Sequence, residues 1–356
     1  MMEYGHGGDI YIHGDLLDFS ANINPFGTSE KVKDAAKRGI ELSYRYPDSR
    51  SGQLKRGISE SIGVPEETLI IGNGAADLLF TLILAERPEK ALLPVPAFSE
   101  YEQSLGITDC RIRYHLLRRE NQFRFTEDII DDLMEDTDIV FFCSPSNPAG
   151  QTIEKELMLR IAEVCKERKI RIVLDECFID FPEHPEHYDM TEELRNFPNV
   201  FMLRSFTKMH AMPGLRLGYG VTWDKELLEK MSRMRQPWSV SAPAQEAGLA
   251  ALEEEERVRD VRKYLCGQRE YMQKEMEKAG LEVIPSEANY ILVHSRTELF
   301  GAMKEKGILI RDCSNYRGLG QGWYRMAVRR KEENNLLLKA LREIMAEQRE
   351  EKETAQ

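Results

Sequence analysis

The sequence predicts an α/β protein: a mostly parallel sheet covered by helices on both faces, followed by a smaller α+β domain. Three observations lead there. Runs such as Ile139-Val-Phe-Phe-Cys143 and Arg171-Ile-Val-Leu174 are continuously apolar, as strands buried on both faces are. Segments of helical length separate them, which is the rhythm of strand–helix–strand units. Past Asp224 that rhythm stops, and long charged helices lead into shorter strands.

Residues 1–27 form a glycine-rich arm in which Phe19, Ile23 and Phe26 are the apolar anchors. An arm of this kind is either a loose terminus or a segment folded across a pocket. A helix over 29–41 starts at Ser29, a residue type that caps helix ends. Tyr44-Arg-Tyr-Pro-Asp48 reads as extended chain and turn, because a residue before proline avoids the helical region. Leu54 to Ile62 is helical. Strands are expected at 68–71, 91–93, 139–143, 171–174 and 200–203, with helices after Ala75, over 98–105 and over 155–168. Helices over 224–235 and 243–278 then lead to strands at 282–284, 289–293, 308–310 and 324–328 and a last helix from about Glu332. The expected division is the arm, 1–27; a large domain, 28–235, whose 28–43 segment can pack with the small domain; and the small domain, 236–356.

Bulk properties exclude several classes of function. With 42% hydrophobic and 31% charged residues, the composition is that of an ordinary globular protein. A net charge of -12 argues against a nucleic-acid or anionic-membrane surface. No run approaches the ~18 apolar residues of a membrane span, and no leader-like N-terminus is visible, so a cytoplasmic protein is expected. Cys110, Cys143, Cys165, Cys177, Cys266 and Cys313 show no C-x-x-C pair and read as reduced thiols.

The polar residues at the ends of the expected strands carry the chemistry, since ligands of such sheets gather there. Val200 to Leu203 leads into Ser205, Thr207 and Lys208, and Arg216 follows within Pro213-Gly-Leu-Arg-Leu-Gly218. A lysine desolvated at a strand end loses its proton easily, as a Schiff-base lysine must, while hydroxyls and a guanidinium suit a phosphate. A surface lysine before a Pro-Gly turn is the plainer alternative. Gly72-Asn-Gly-Ala75-Ala76 joins a strand to a helix, where backbone N–H groups can meet an anion; it matches neither a Walker loop nor G-x-G-x-x-G. Asp175 ends a strand, where it can pair with a protonated pyridine nitrogen or cap a helix. Asn147 is a ligand or a turn residue, and Phe98 is core or stacks on a flat ring. His184 and His187, near Asp189, have the spacing of metal ligands, but their surroundings read as an exposed loop, and no metal is expected.

Together, Ser205-Phe-Thr-Lys208 with Pro213-Gly-Leu-Arg216, Asn147-Pro-Ala-Gly150 and Asp175-Glu-Cys-Phe178 resemble fold-type I pyridoxal-phosphate enzymes of the histidinol-phosphate aminotransferase branch. Within that branch, His6-Gly-Gly, Asp18-Phe-Ser-Ala-Asn-Ile-Asn-Pro25, Arg45-Tyr-Pro-Asp48, Pro237-Trp-Ser-Val240, Ile308-Leu-Ile-Arg-Asp-Cys-Ser-Asn-Tyr316 and Tyr324-Arg-Met-Ala-Val-Arg329 resemble the threonine-phosphate decarboxylases of cobalamin biosynthesis. The resemblance implies pyridoxal 5′-phosphate as cofactor, with Lys208 as its covalent anchor and Asp175 on the pyridine nitrogen. Asn147 would meet the ring hydroxyl and Phe98 the ring face. Ala75, Ala76, Ser205, Thr207 and Arg216 would hold the cofactor phosphate, with Tyr46 reaching it from the other subunit of a homodimer. Arg325 would take the substrate carboxylate; Arg311, His6 and the Asn22–Asn24 stretch would take the substrate phosphate.

The implied reaction is decarboxylation of L-threonine O-3-phosphate to (R)-1-amino-2-propanol O-2-phosphate. The alternatives are histidinol-phosphate transamination and decarboxylation of O-phosphoserine, and outside enzymes a silent scaffold. Two positions depart from the branch: Phe178 stands where its aminotransferases usually carry tyrosine, which leans toward the decarboxylase, and Ala149 replaces a threonine.

Overall fold

The computed structural model describes residues 7, 8 and 10–354. The arm contains a two-residue strand, β1 (Leu17–Asp18). Seven strands form the large sheet: β2 (Leu69–Gly72), β3 (Lys90–Val95), β4 (Arg111–Leu116), β5 (Ile139–Cys143), β6 (Arg171–Asp175), β7 (Val200–Ser205) and β8 (Gly218–Val221). They lie in the order β2-β8-β7-β6-β5-β3-β4. All pairs from β7 to β4 are parallel, and β8 runs antiparallel between β2 and β7. Strand β5 is buried along its whole length, as its unbroken apolar run requires.

Two strands of this sheet have no unbroken apolar run to mark them. Strand β4 is an edge strand whose residues are mostly partly or fully exposed, so its sequence, RIRYHL, mixes charge with apolar residues. Strand β8 has only four residues, two of them glycine. A Cβ at Gly220 would lie 2.4 Å from the Phe201 ring, so the neighbouring strand leaves no space for a side chain.

The helix Glu30–Glu41 begins where Ser29 accepts a hydrogen bond from Val32 N. Asp224 and Ser241 cap Lys225–Met234 and Ala242–Leu252 in the same way. The single helix expected over 243–278 is instead two, Ala242–Leu252 and Glu255–Lys278. Their apolar faces serve different cores. Ala244, Ala247, Ala250 and Ala251 join the cluster under the large sheet, with Val32 and Ala35. Val261, Leu265, Met272 and Met276 join a second cluster around the smaller sheet. The first of these helices packs against Glu30–Glu41 so closely that a Cβ on Gly39 would sit 2.5 Å from Pro243.

The smaller sheet combines β9 (Glu282–Ile284), β10 (Tyr290–His294), β12 (Arg311–Asp312) and β13 (Trp323–Ala327) in the order β12-β13-β10-β9. The remaining strand, β11 (Ile308–Leu309), pairs in parallel with β1. The arm is therefore folded onto the body. Phe19 N–H donates to Leu309 O at 2.7 Å, Ala327 N–H donates to Phe19 O at 2.8 Å, and the Phe19 ring is fully buried. The carboxyl ends of β2, β5, β6 and β7 reach one rim, where Cys143 is paired with Asp175 and Gly218 lies opposite both Ser205 and Gly72.

Candidate active site

A cavity of about 570 Å³ opens on that rim, between the arm, the large sheet and the strands of the smaller one. Ala75, Ala76, Phe98, Asn147, Asp175, Ser205, Thr207, Lys208, Arg216, Arg311 and Arg325 all line it. Residues spread over most of the chain are thus brought to one space.

One end of the cavity is built to receive an anion. The helix Ala75–Glu86 starts there, and its cap residue, Gly74, has no side chain to satisfy the first N–H groups. Gly74 sits at φ +88, and a Cβ on it would come within 2.6 Å of the Arg216 guanidinium. Glycine therefore lets Arg216 lie across the helix start. Gly218 gives the same clearance, since its Cβ would meet Ala75 N at 2.5 Å. Ser205 and Thr207 add hydroxyls, with Ser205 Oγ accepting from Thr207 N–H at 3.1 Å. Amides, hydroxyls and a guanidinium converging on one spot make a phosphate cradle.

Asp175 stands at the centre with both carboxylate oxygens engaged. Oδ1 accepts from Cys177 N–H at 2.9 Å and Oδ2 accepts from Tyr101 Oη–H at 2.6 Å. The helix-cap alternative for Asp175 fails, because the chain after it turns without starting an α-helix. Asn147 accepts from Arg325 through its side-chain oxygen, and Tyr316 Oη lies 3.5 Å from the same oxygen.

Lys208 is half-buried, and its Nζ lies 5.5 Å from the centre of the Phe178 ring. Burial first, and the Arg325 charge second, lower its pKa to about 8, against the opposing pull of Cys177 and Glu100. The amine is therefore close to losing its proton near neutrality.

The arginines enter from the smaller sheet. Arg325 is buried, donates to Ser20 O at 3.1 Å, and lies over the Tyr290 ring. With its amide oxygen turned to the guanidinium, Asn22 accepts from Arg325 Nε and Nη1 at 3.2 and 3.3 Å. Arg311 donates to Asp312 O at 2.6 Å and Asn315 Oδ1 at 2.9 Å and lies over Tyr316.

Two expected residues stand elsewhere. Asn24 is buried behind the lysine turn, where its Nδ2 donates to Met209 O at 2.8 Å; Asn22 and Ile23 line the cavity in its place. Tyr46 is 75% exposed and stacks on Trp238 at 4.4 Å, away from this chain's cavity. His6 lies outside the described residues. His184, Glu186 and His187 form an exposed surface cluster that takes no part in the cavity.

Tyr316 and Arg329, which end two of the stretches quoted above without an assigned role, and Tyr101 also line the cavity. Tyr101 had a usable signal: it follows Phe98 by three residues in a helical stretch, which puts the two on one face. Arg329 donates to Asp18 O at 2.8 Å, tying the arm to the site.

Among the described residues, no helix is long and apolar enough to cross a membrane. The family described as aminotransferase class I and II matches residues 14–341. A threonine-phosphate decarboxylase of Salmonella typhimurium is 38% identical over 93% of this chain and 91% of its own. A histidinol-phosphate aminotransferase of Archaeoglobus fulgidus is 31% identical over 93% of both chains. Among solved structures, the histidinol-phosphate aminotransferase of Clostridium acetobutylicum superposes with a TM-score of 0.87 at 28% identity, over 93% of this chain and all of the other.

Proposed function

We propose that this chain, which belongs to the aminotransferase class I and II family, is a pyridoxal-phosphate-dependent decarboxylase of L-threonine O-3-phosphate. The observation that carries the reading is one cavity holding a cofactor-type cradle around Lys208 and two arginines, Arg311 and Arg325, at its other side. Such a cavity suits a substrate with two anionic ends, a carboxylate and a phosphate. The greater identity to a decarboxylase, 38% against 31% for the aminotransferase named above, favours this reaction.

The residues fit pyridoxal 5′-phosphate. The Gly74 clearance and the uncapped helix start suit its phosphate, Asp175 its ring nitrogen, Asn147 its ring hydroxyl, Phe98 its ring face and Lys208 its aldehyde. When bound, the cofactor supplies a sink for the electron pair released as a bond to the substrate Cα breaks. Arg325 holds the carboxylate and Arg311 the phosphate, and their fixed separation sets which Cα bond is turned toward that sink. As the Cα–carboxylate bond breaks, carbon dioxide leaves and Cα needs a proton. Lys208 Nζ, with a pKa of about 8, carries that proton to Cα. The product is (R)-1-amino-2-propanol O-2-phosphate, a building block in cobalamin biosynthesis.

The working form is a homodimer. Tyr44, Tyr46 and Trp238 are exposed aromatic residues, and the stacked Tyr46–Trp238 pair is a hydrophobic surface suited to burial against a second copy. There Tyr46 reaches the cofactor phosphate of the neighbouring subunit. A cytoplasmic location accords with this chemistry.

The purified protein is incubated with threonine phosphate, and separately with histidinol phosphate and 2-oxoglutarate. Carbon dioxide from the first supports the reading. Glutamate from the second, without carbon dioxide from the first, replaces it with the aminotransferase. O-phosphoserine serves as the comparison that tests recognition of the methyl group, worth roughly 1–3 kcal/mol.

A further inference from the structure

The carboxylate placed on the cofactor's ring nitrogen is itself gripped by a residue with no role in the scheme above. Tyr101 is 2% exposed, stacked on Phe141 at 5.3 Å and edge-on to Phe98 at 5.7 Å. Ring packing therefore fixes where its hydroxyl points. Burial raises its pKa well above the ordinary tyrosine value, so the hydroxyl keeps its proton and donates. It donates to Asp175 Oδ2 at 2.6 Å, the distance of a charge-assisted O–H···O⁻ bond.

We propose that Tyr101 is a positioning residue that locks the orientation of Asp175 and, through it, the grip of this site on a protonated ring nitrogen. The proposal rests on pyridoxal phosphate being the cofactor. The torsion that turns a carboxylate about its Cβ–Cγ bond is broad, so a single donor leaves the group free to swing. Cys177 N–H holds Oδ1, and the tyrosine holds Oδ2, so the plane of the group is set. The chemistry of the second donor matters. A lysine or arginine there would neutralise the carboxylate and compete with the ring nitrogen. A neutral phenol stabilises the negative charge without cancelling it. The same ring touches Phe98, so ring stacking and nitrogen pairing are braced by one side chain.

The test titrates cofactor-free protein with pyridoxal 5′-phosphate, following cofactor absorbance, for wild type, Tyr101→Phe, Asp175→Asn and the double variant. The melting temperature is recorded without cofactor. Tyr101→Phe keeps the ring and loses only the hydroxyl. Its cofactor affinity should fall about tenfold or more, the scale of a hydrogen bond to a charged group. In the Asp175→Asn background the same change should cost less than about twofold, because coupled residues are not additive. Cofactor-free Tyr101→Phe should remain cooperatively folded and melt only a few degrees below wild type, the scale of one buried hydrogen bond. Undiminished affinity in Tyr101→Phe overturns the proposal. So does an equal loss in both backgrounds, which would put the effect outside Asp175, or a large fall in melting temperature, which would make Tyr101 merely structural. Wild-type protein that takes up no pyridoxal phosphate overturns the cofactor reading and this proposal with it.

Discussion

Asn24 donates its backbone N–H to the carbonyl of Lys208 at 3.1 Å. Its side chain donates to the next carbonyl, Met209 O, at 2.8 Å and accepts from Phe26 N–H at 3.0 Å. The arm thus braces the lysine turn from behind and keeps the Nζ facing the cavity, while Asn22, two residues earlier, faces Arg325. Two asparagines of similar appearance in the sequence have opposite duties.

Asn24→Ala should leave the Met209 carbonyl buried without this donor, at a cost of about 1–3 kcal/mol in stability. Turnover should fall with KM nearly unchanged, because the lysine turn loosens while the arginines stay in place. Asn22→Ala should raise KM more than it lowers kcat. Steady-state kinetics on the two variants check the split.

Lys208 should respond to pH with a midpoint near 8 in place of the ordinary 10.5. At pH 7 roughly a tenth of the amines are neutral, and the fraction climbs through pH 8. The rate at which cofactor-free protein captures pyridoxal phosphate should climb with it, as followed by stopped-flow absorbance. The sign for stability follows from the same shift. Between the two values the unfolded chain binds more protons at this position, so the lysine's destabilising contribution, complete below pH 8, fades as pH rises toward 10.5.

Gly74→Ala should damage the cradle twice. A Cβ would strike the Arg216 guanidinium, and the backbone at φ 88 and ψ 163 belongs almost wholly to glycine, a strain of about 1–3 kcal/mol. Cofactor affinity should drop alongside stability. Gly63→Ala, at φ +70 with open space around it, should lower stability alone. Equilibrium titration and thermal melts of both variants separate the two effects.

Arg204→Met should be among the most destabilising single changes. Arg204, next to Ser205 on β7, has a side chain only 11% exposed and pairs with Glu176 at 2.6 Å and Asp189 at 2.7 Å. Removing it strands the fully buried Glu176 carboxylate, a loss of about 3–5 kcal/mol. Adding Glu176→Gln should recover part of it in denaturant unfolding.

Fold class was readable because the central strands are buried on both faces and so are written as unbroken apolar runs. Strand β4 escaped, since an edge strand carries the charges of solvent contact, and β8 escaped because glycines replace the side chains that would announce it. The cofactor end of the site was legible for a related reason: Lys208, Asp175, Asn147 and Arg216 each sit beside a strand end or a Pro or Gly turn, where a polar residue needs a reason. The substrate end was harder. Whether Asn22 or Asn24 faces the cavity depends on how the arm is threaded, which no local pattern encodes. The helix expected over 98–105 gives Tyr101 a place beside Phe98 but no partner; its hydroxyl acquires meaning only when β6 brings Asp175 alongside.

The pairing of β1 with β11 has a consequence for how the chain matures. The arm is synthesised long before the strand it needs, which lies about 290 residues further on. Until Leu309 and Ala327 have been made, Phe19 has no cavity to fill and its backbone no partners. Contacts of such wide sequence separation close late, because the entropy of the intervening loop must be lost first. The contacts that complete the substrate end are therefore expected to close after those of the large sheet, whose paired strands are less widely separated in sequence.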